Sequence, residues 1–299
     1  MKSFFTTVII AFIGVLIFSV FISARQSSLI ADRAELIVLA EEFSFTEGPA
    51  ADKSGNVFFT DQPSNRILKW VPGSGIEVYM ENAGRANGLY FDNYGNLLAA
   101  ADERNQLWRI NSDKETTVLV DDFKGDELNG PNDIWVDAKG GIYFTDPFYQ
   151  REYWIRRKPD IDGERVYYLA PDGSLQIVAD DVVKPNGIIG SPDGKKLYIA
   201  DIGDHKTYSY TILANGSLRN QTLFAEMGSD GMTLDEKGNL YLTGNGVTVI
   251  SPTGELIEHI AVPQEWTANV TFGGKNRNIL FITAMSAVYT IDMKVRGAY

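Results

Sequence analysis

The sequence predicts an all-β fold, a six-bladed β-propeller closed by pairing of an N-terminal strand with the C-terminal blade. Three observations carry this expectation. Six segments repeat one pattern, their spacing matches the length of a four-stranded blade, and a strand-like run stands before the first segment as well as between the others.

Each segment opens with a polar residue, continues as a short apolar strand, turns at Gly or Asn, and returns as a second apolar strand, often ending in Asp. They read Glu47-GPAADKSGNVFFTD, Asn87-GLYFDNYGNLLAAAD, Asn132-DIWVDAKGGIYFTD, Asn186-GIIGSPDGKKLYIAD, Asp230-GMTLDEKGNLYLTG and Asn269-VTFGGKNRNILFIT. Their first residues lie 40, 45, 54, 44 and 39 positions apart. A Gly falls eight residues after the leading residue in the first five repeats, and Arg277 takes that place in the sixth, so one hairpin recurs throughout. The runs IEVYM, TTVLVDDF, LQIVADDV, QTLFAEM and LIEHIAV precede repeats two to six. ELIVLAEEF, Glu35 to Phe43, precedes the first and is expected to form the outermost strand of the sixth blade, beside NILFIT and AVYTIDM. Closure of this kind leaves only short, protected sheet edges.

Composition narrows the function. The 299 residues are 44% hydrophobic and 12% aromatic, enough to bury a full-sized core. A net charge of −12, with no basic run beyond Arg156, Arg157 and Lys158, argues against nucleic acid as a partner. Cysteine is absent and His205 and His259 are the only histidines, so thiolate and multi-histidine metal sites are excluded and any metal must be held mainly by oxygen. Two isolated histidines and the lack of a G-x-S-x-G elbow give no support to a Ser-His-Asp triad. His205, four residues after Asp201, is expected on a surface loop.

Met1 to Ser23, MKSFFTTVIIAFIGVLIFSVFIS, has a Lys near its start, a long apolar stretch and a polar sequel. Residues 1–28 are therefore expected to be a signal peptide or an N-terminal membrane anchor, with residues 3–23 spanning the bilayer if the segment is retained. Either way residues 29–299 form one propeller domain outside the cytoplasm, periplasmic or extracellular, touching membrane only through that segment.

In a propeller the innermost strands line the axis, so equivalent residues of all blades face one another there. The six leading residues, Glu47, Asn87, Asn132, Asn186, Asp230 and Asn269, all carry a side-chain oxygen. Any one alone is better explained by turn capping, but Glu at position 47 is a weak turn former and all six share the property. Carboxylates and amide carbonyls without His or Cys are the ligand set of a hard divalent cation: calcium first, with magnesium, manganese or zinc as alternatives. A second set, Asp61, Asp102, Asp146 and Asp201, ends the second strand of four repeats and should ring the same mouth at larger radius, mostly as strand-end caps. The insert that follows Asp146, PFYQREYWIRRKPDIDGER at residues 147–165, lengthens the third repeat and is expected to be either a wall over the site or a solvated loop.

These motifs resemble the regucalcin/gluconolactonase family of calcium-dependent six-bladed propellers over about Glu35 to Met293. The strongest tokens are FTEGPA at Phe45 to Ala50, LNGPNDIWVDAKGGIYFTDPFY at Leu128 to Tyr149, KPNGIIGSPDGKKLYIAD at Lys184 to Asp201 and SDGMTLDEKGNLYLT at Ser229 to Thr243. The resemblance implies a lactonase acting on a small-molecule lactone, with the cation on Glu47, Asn186 and Asp230, Asn132 beside it, and Asp230 also moving the proton. Asn87, Asn132, Asp146, Asp201 and Asn269 are then the substrate-facing candidates. Animal members carry an Arg two residues before the Asn of the third repeat, where this chain has Gly130. Organophosphate ester hydrolysis on the same cation and a non-enzymatic, calcium-stabilised binding propeller are the competing readings.

Overall fold

The computed structural model describes residues 27–299, so the expected export segment lies outside the described residues. Six four-stranded antiparallel sheets carry the chain, each meandering from an inner strand outward. The first blade is Thr46–Ala51, Val57–Asp61, Arg66–Val71 and Gly75–Glu81. The inner strands of the next four are Ala86–Phe91, Ile134–Val136, Pro185–Gly190 and Met232–Leu234. Among the described residues there is no helix, and the only further sheet is a hairpin of Asp122–Phe123 with Asp126–Glu127.

The ring closes as the sequence predicts. Asn269–Gly273, Ile279–Ala284 and Ala287–Asp292 form the inner three strands of the sixth blade, and Ile37–Ala40 pairs antiparallel with the last of them. The clasp is longer than the ELIVLAEEF run suggests. Ile30 bridges to Met293, Lys294 N–H donates to Leu29 O, and Thr46 Oγ1 donates to Met285 O and Ala287 O.

Turn chemistry accounts for the hairpins. Gly55, Gly95, Gly140, Gly194 and Gly238 all take positive φ, and Arg277 adopts the same left-handed conformation at φ 54°. Five glycines thus occupy a conformation that suits them, and one arginine is held in it by the fold. The core lies between blades, where aromatic and branched side chains such as Trp135, Tyr143, Ile188, Leu197 and Leu240 pack face to face.

Candidate active site

At the axis the inner strands approach closely. A Cβ on Gly48 would lie 2.1 Å from Asn87 O, and one on Gly88 2.3 Å from Asn132 O. The recurrent Gly after the leading residue is therefore a packing requirement: the neighbouring blade's backbone crowds Gly48, Gly88 and Gly187, and the Asn269 side chain fills the space at Gly231. Register breaks at Glu47/Ala50, Ala86/Leu89 and Pro185/Ile188 show a bulge at the start of three inner strands, the device that turns a side chain off the regular pleat.

The six leading residues stand at the entry of the six inner strands, and side-chain contacts join four of them in two pairs, Glu47 with Asn269 and Asn186 with Asp230. Glu47, Asn87, Asn132, Asn186 and Asn269 are buried, and Asp230 keeps some exposure. Asn269 Nδ2 donates to Glu47 Oε2 at 3.3 Å, and Gly48 N–H donates to the same oxygen at 2.7 Å. Asn186 Nδ2 donates to Asp230 Oδ1 at 2.8 Å and to Tyr149 OH at 3.1 Å. Trp266 Nε1 donates to Asp230 Oδ2 at 2.6 Å. Asn87 Oδ1 is buried without a hydrogen-bond partner.

Two of these neighbours, and a third carboxylate, escape sequence reasoning. Asp133 stands where four of the other repeats have Gly, is buried, and accepts from Ile134 N–H at 3.0 Å and Ile188 N–H at 3.3 Å. That break in the glycine pattern was the available signal. Tyr149 sits in the insert and Trp266 in the loop before the last inner strand, and neither position repeats in other blades.

Electrostatics single the cluster out. Burial, then the negative charges of Asp230 and Asp133, hold the Glu47 carboxyl well above the usual carboxylate range. Burial pushes Asp133 up to about 7 and Asp230 up to about 6, the latter against hydrogen bonds from Trp266 and Asn186. None of the three is in an ion pair among the described residues. Buried carboxylates outside any ion pair, with Arg151 acting on Asp230 only from longer range, fit a cation. Among the described residues no three His, Cys, Asp or Glu side chains gather closely enough to hold a metal, so amide oxygens would have to complete the set. Asn186 and Asn132 carry such oxygens: the Asn186 Nδ2 is committed to Asp230 and Tyr149, which leaves its Oδ1 to a cation.

The strand-end aspartates behave differently. Asp61 accepts from Ser44 and Phe45 N–H, Asp146 from Asn129 and Gly130 N–H, and Asp201 from Val183 and Lys184 N–H. In each case the donors are the residues three and two places before the axial Glu47, Asn132 or Asn186. These carboxylates clamp the loop that delivers the axial side chain. Asp102 is the exception, its carboxylate turned to Gln62, Arg151 and Tyr153. His205 is exposed on the turn after Asp201.

A cavity of about 640 Å³ lies beside this layer. It is lined by Tyr90, Trp135, Met232, Phe272 and Tyr299, and reaches Asp133 and Asn269. Converging donors rather than volume mark the site.

The fold and site together define a six-bladed propeller with carboxylates and amides gathered at one mouth of its axis. The chain belongs to the SMP-30/Gluconolactonase/LRE-like family, whose model matches residues 45–286. It is similar to the gluconolactonase of Zymomonas mobilis subsp. mobilis, 28% identical over an alignment covering 92% of this chain and 86% of that protein. A solved gluconolactonase from Xanthomonas campestris superposes with a TM-score of 0.82 at 29% identity, covering 89% of this chain and 91% of the other. Regucalcin from Agrobacterium tumefaciens, a calcium-binding protein, shares the fold at 20% identity and a TM-score of 0.73, covering 87% and 94%.

Proposed function

We propose that this protein opens lactones at the axial mouth, using a divalent cation held by Glu47, Asn186 and Asp230 with Asn132 beside them. The observation that carries the reading is the pairing of Glu47 and Asp230, two carboxylates pushed up by burial with no cationic partner, in a family that includes gluconolactonases. A hard cation there would polarise the lactone carbonyl and stabilise the oxyanion.

The remaining chemistry is the chain's own. Asp230 is assigned as the general base; a bound cation would lower the carboxyl that burial alone raises to about 6. Trp266 and Asn186 fix its two oxygens, so its orientation is set before substrate arrives. It takes a proton from the attacking water as the new C–O bond forms, and returns it to the ring oxygen as the old C–O bond breaks, leaving a hydroxy acid. Asp146 and Asp201 are assigned the clamping role instead, because backbone N–H groups occupy their oxygens. Asn269 buttresses Glu47, and the buried Asn87 carbonyl, without a partner of its own, is read as a substrate acceptor.

A panel of aldonolactones, simple lactones and phosphotriesters tests the reading. Lactone hydrolysis should vanish in chelator and return with calcium or another divalent ion. Full activity in chelator would reject the cation, and faster turnover of phosphotriesters would reject the substrate class. The export segment is read as placing the domain outside the cytoplasm, which fractionation and N-terminal sequencing of the mature protein check.

A further inference from the structure

The insert between the second and third strands of the third blade is fixed in place by contacts to the second, third and fourth blades. Asp102 of the second blade accepts from Arg151 Nε at 2.6 Å and Tyr153 OH at 2.7 Å, and its backbone O accepts from Trp154 Nε1 at 2.8 Å. Gln62 of the first blade supports the same carboxylate at 3.1 Å. Arg156 donates to Asn129 O, and Lys184 of the fourth blade donates to Phe148 O at 3.2 Å. Trp154 is buried, with Phe148 and Arg156 packed against its ring. Where three aspartates clamp the loop before an axial residue, Asp102 has been diverted to anchor this insert.

What the anchoring holds in place is Tyr149. Its ring lies between Lys184 Nζ, 4.7 Å from the centroid, and Arg151 Cζ at 5.6 Å. Its hydroxyl accepts from Asn186 Nδ2, and no acceptor among the described residues takes its proton. That hydroxyl therefore sits one hydrogen bond from an axial residue with a donor to spare. On the same side of the mouth Gly130 has no room for a side chain: a Cβ would lie 2.8 Å from Asp102 Oδ1 and 3.0 Å from the Trp154 ring. Position 130 therefore cannot supply a side-chain contact to a substrate.

We propose that the insert is a rigid substrate wall, and that Tyr149 is a specificity-determining residue that donates its hydroxyl proton to a ring hydroxyl of the lactone, selecting polyhydroxylated lactones over unsubstituted ones. This rests on the lactonase reading. Arg151 and Lys184 position the ring, and Asp102 positions Arg151 and the segment around it.

The test uses Tyr149→Phe in the full chain, with a matching melting temperature as the check on folding. Affinity for a polyhydroxylated δ-lactam, a non-hydrolysable analogue of an aldonolactone, is measured by calorimetry with the cation present. The variant should bind it about 3- to 10-fold more weakly, the worth of one neutral hydrogen bond. KM for the corresponding lactone should rise by the same factor with kcat within about twofold, while kcat/KM for unsubstituted δ-valerolactone stays unchanged. Equal losses on both substrates, or no loss on either while lactone hydrolysis persists, would overturn the assignment and leave the lactonase reading standing. Lactam binding that depends on Tyr149 in a protein without lactone hydrolysis would do the reverse. A wild-type protein that neither binds the lactam nor opens a lactone would end both. Asp102→Asn should reproduce the selective loss through a loosened insert; a loss on both substrates alike would count against the anchor.

Discussion

Two sets of acidic residues share one mouth of this propeller, and they do opposite things. Asp61, Asp146 and Asp201 each spend their carboxylate on two backbone N–H groups of the incoming loop. Glu47 and Asp230 instead turn toward the axis, supported by Asn269, Asn186 and Trp266 but unpaired with any cation. The difference lies in what the backbone offers. A strand-end Asp faces a loop whose N–H groups have no ladder partner, so capping satisfies it. An axial carboxylate faces other blades' side chains, where like charges and amides leave the site short of positive charge.

Breaking the axial set should cost activity rather than stability. Asp230→Asn is expected to lower kcat by about 10²- to 10⁴-fold, the usual worth of a general base. In chelator its melting temperature should not fall, because the change removes one of the repelling buried carboxylates. A variant of normal turnover, or one that unfolds, would erase the distinction.

Breaking the clamp should do the converse. Asp201→Ala leaves the Val183 and Lys184 N–H groups unmet, at a cost of about 1–3 kcal/mol by denaturant titration. Turnover per folded molecule should stay within about tenfold, because Asn186 remains in a strand that the ladder still holds.

The pH dependence separates the sets by their response to a cation. Asp133 and Asp230, raised to about 7 and about 6, keep in the folded state a proton that the unfolded chain has lost above about pH 4. Their contribution to stability is complete below that pH and declines as pH rises through 6 to 7. Without cation the domain should therefore melt lower at pH 8 than at pH 5, by several degrees if about 1–2 kcal/mol is lost. A cation favours the charged axial groups and should remove that share of the slope. Asp146, also raised to about 7 by burial, lies in the clamp and should keep its own share. A slope indifferent to cation would place the titrating groups away from the axis.

The smallest expected effect is Trp266→Phe. The indole N–H bond to Asp230 lowers that carboxyl's pKa, so its loss should move the acid limb of the kcat/KM profile upward by a fraction of a unit to about one unit. A downward shift would contradict the assigned donor.

How much was legible beforehand follows from which features repeat. Blade number, the closing strand and the place of a leading residue at the entry of each inner strand were readable because each blade solves the same packing problem with the same residue types. The Gly after four of the leading residues records the close approach of the neighbouring blade, and its replacement by Asp133 was visible but had no meaning without that packing. Tyr149 and Trp266 occur once each, so no periodicity could select them. Asp102 was legible as one of four equivalent aspartates, yet its partners lie 40 to 52 residues away in other blades.

The sequence by itself determined the propeller, its closure and the oxygen-bearing residues facing its axis, because local strand and turn chemistry recurs at blade spacing. Only the tertiary structure decided which carboxylates are consumed by backbone N–H groups, which remain uncompensated at the axis, and where the insert rests. Those outcomes depend on contacts between blades, and hydrogen-bond competition across such distances leaves no mark in the spacing of residues along the chain.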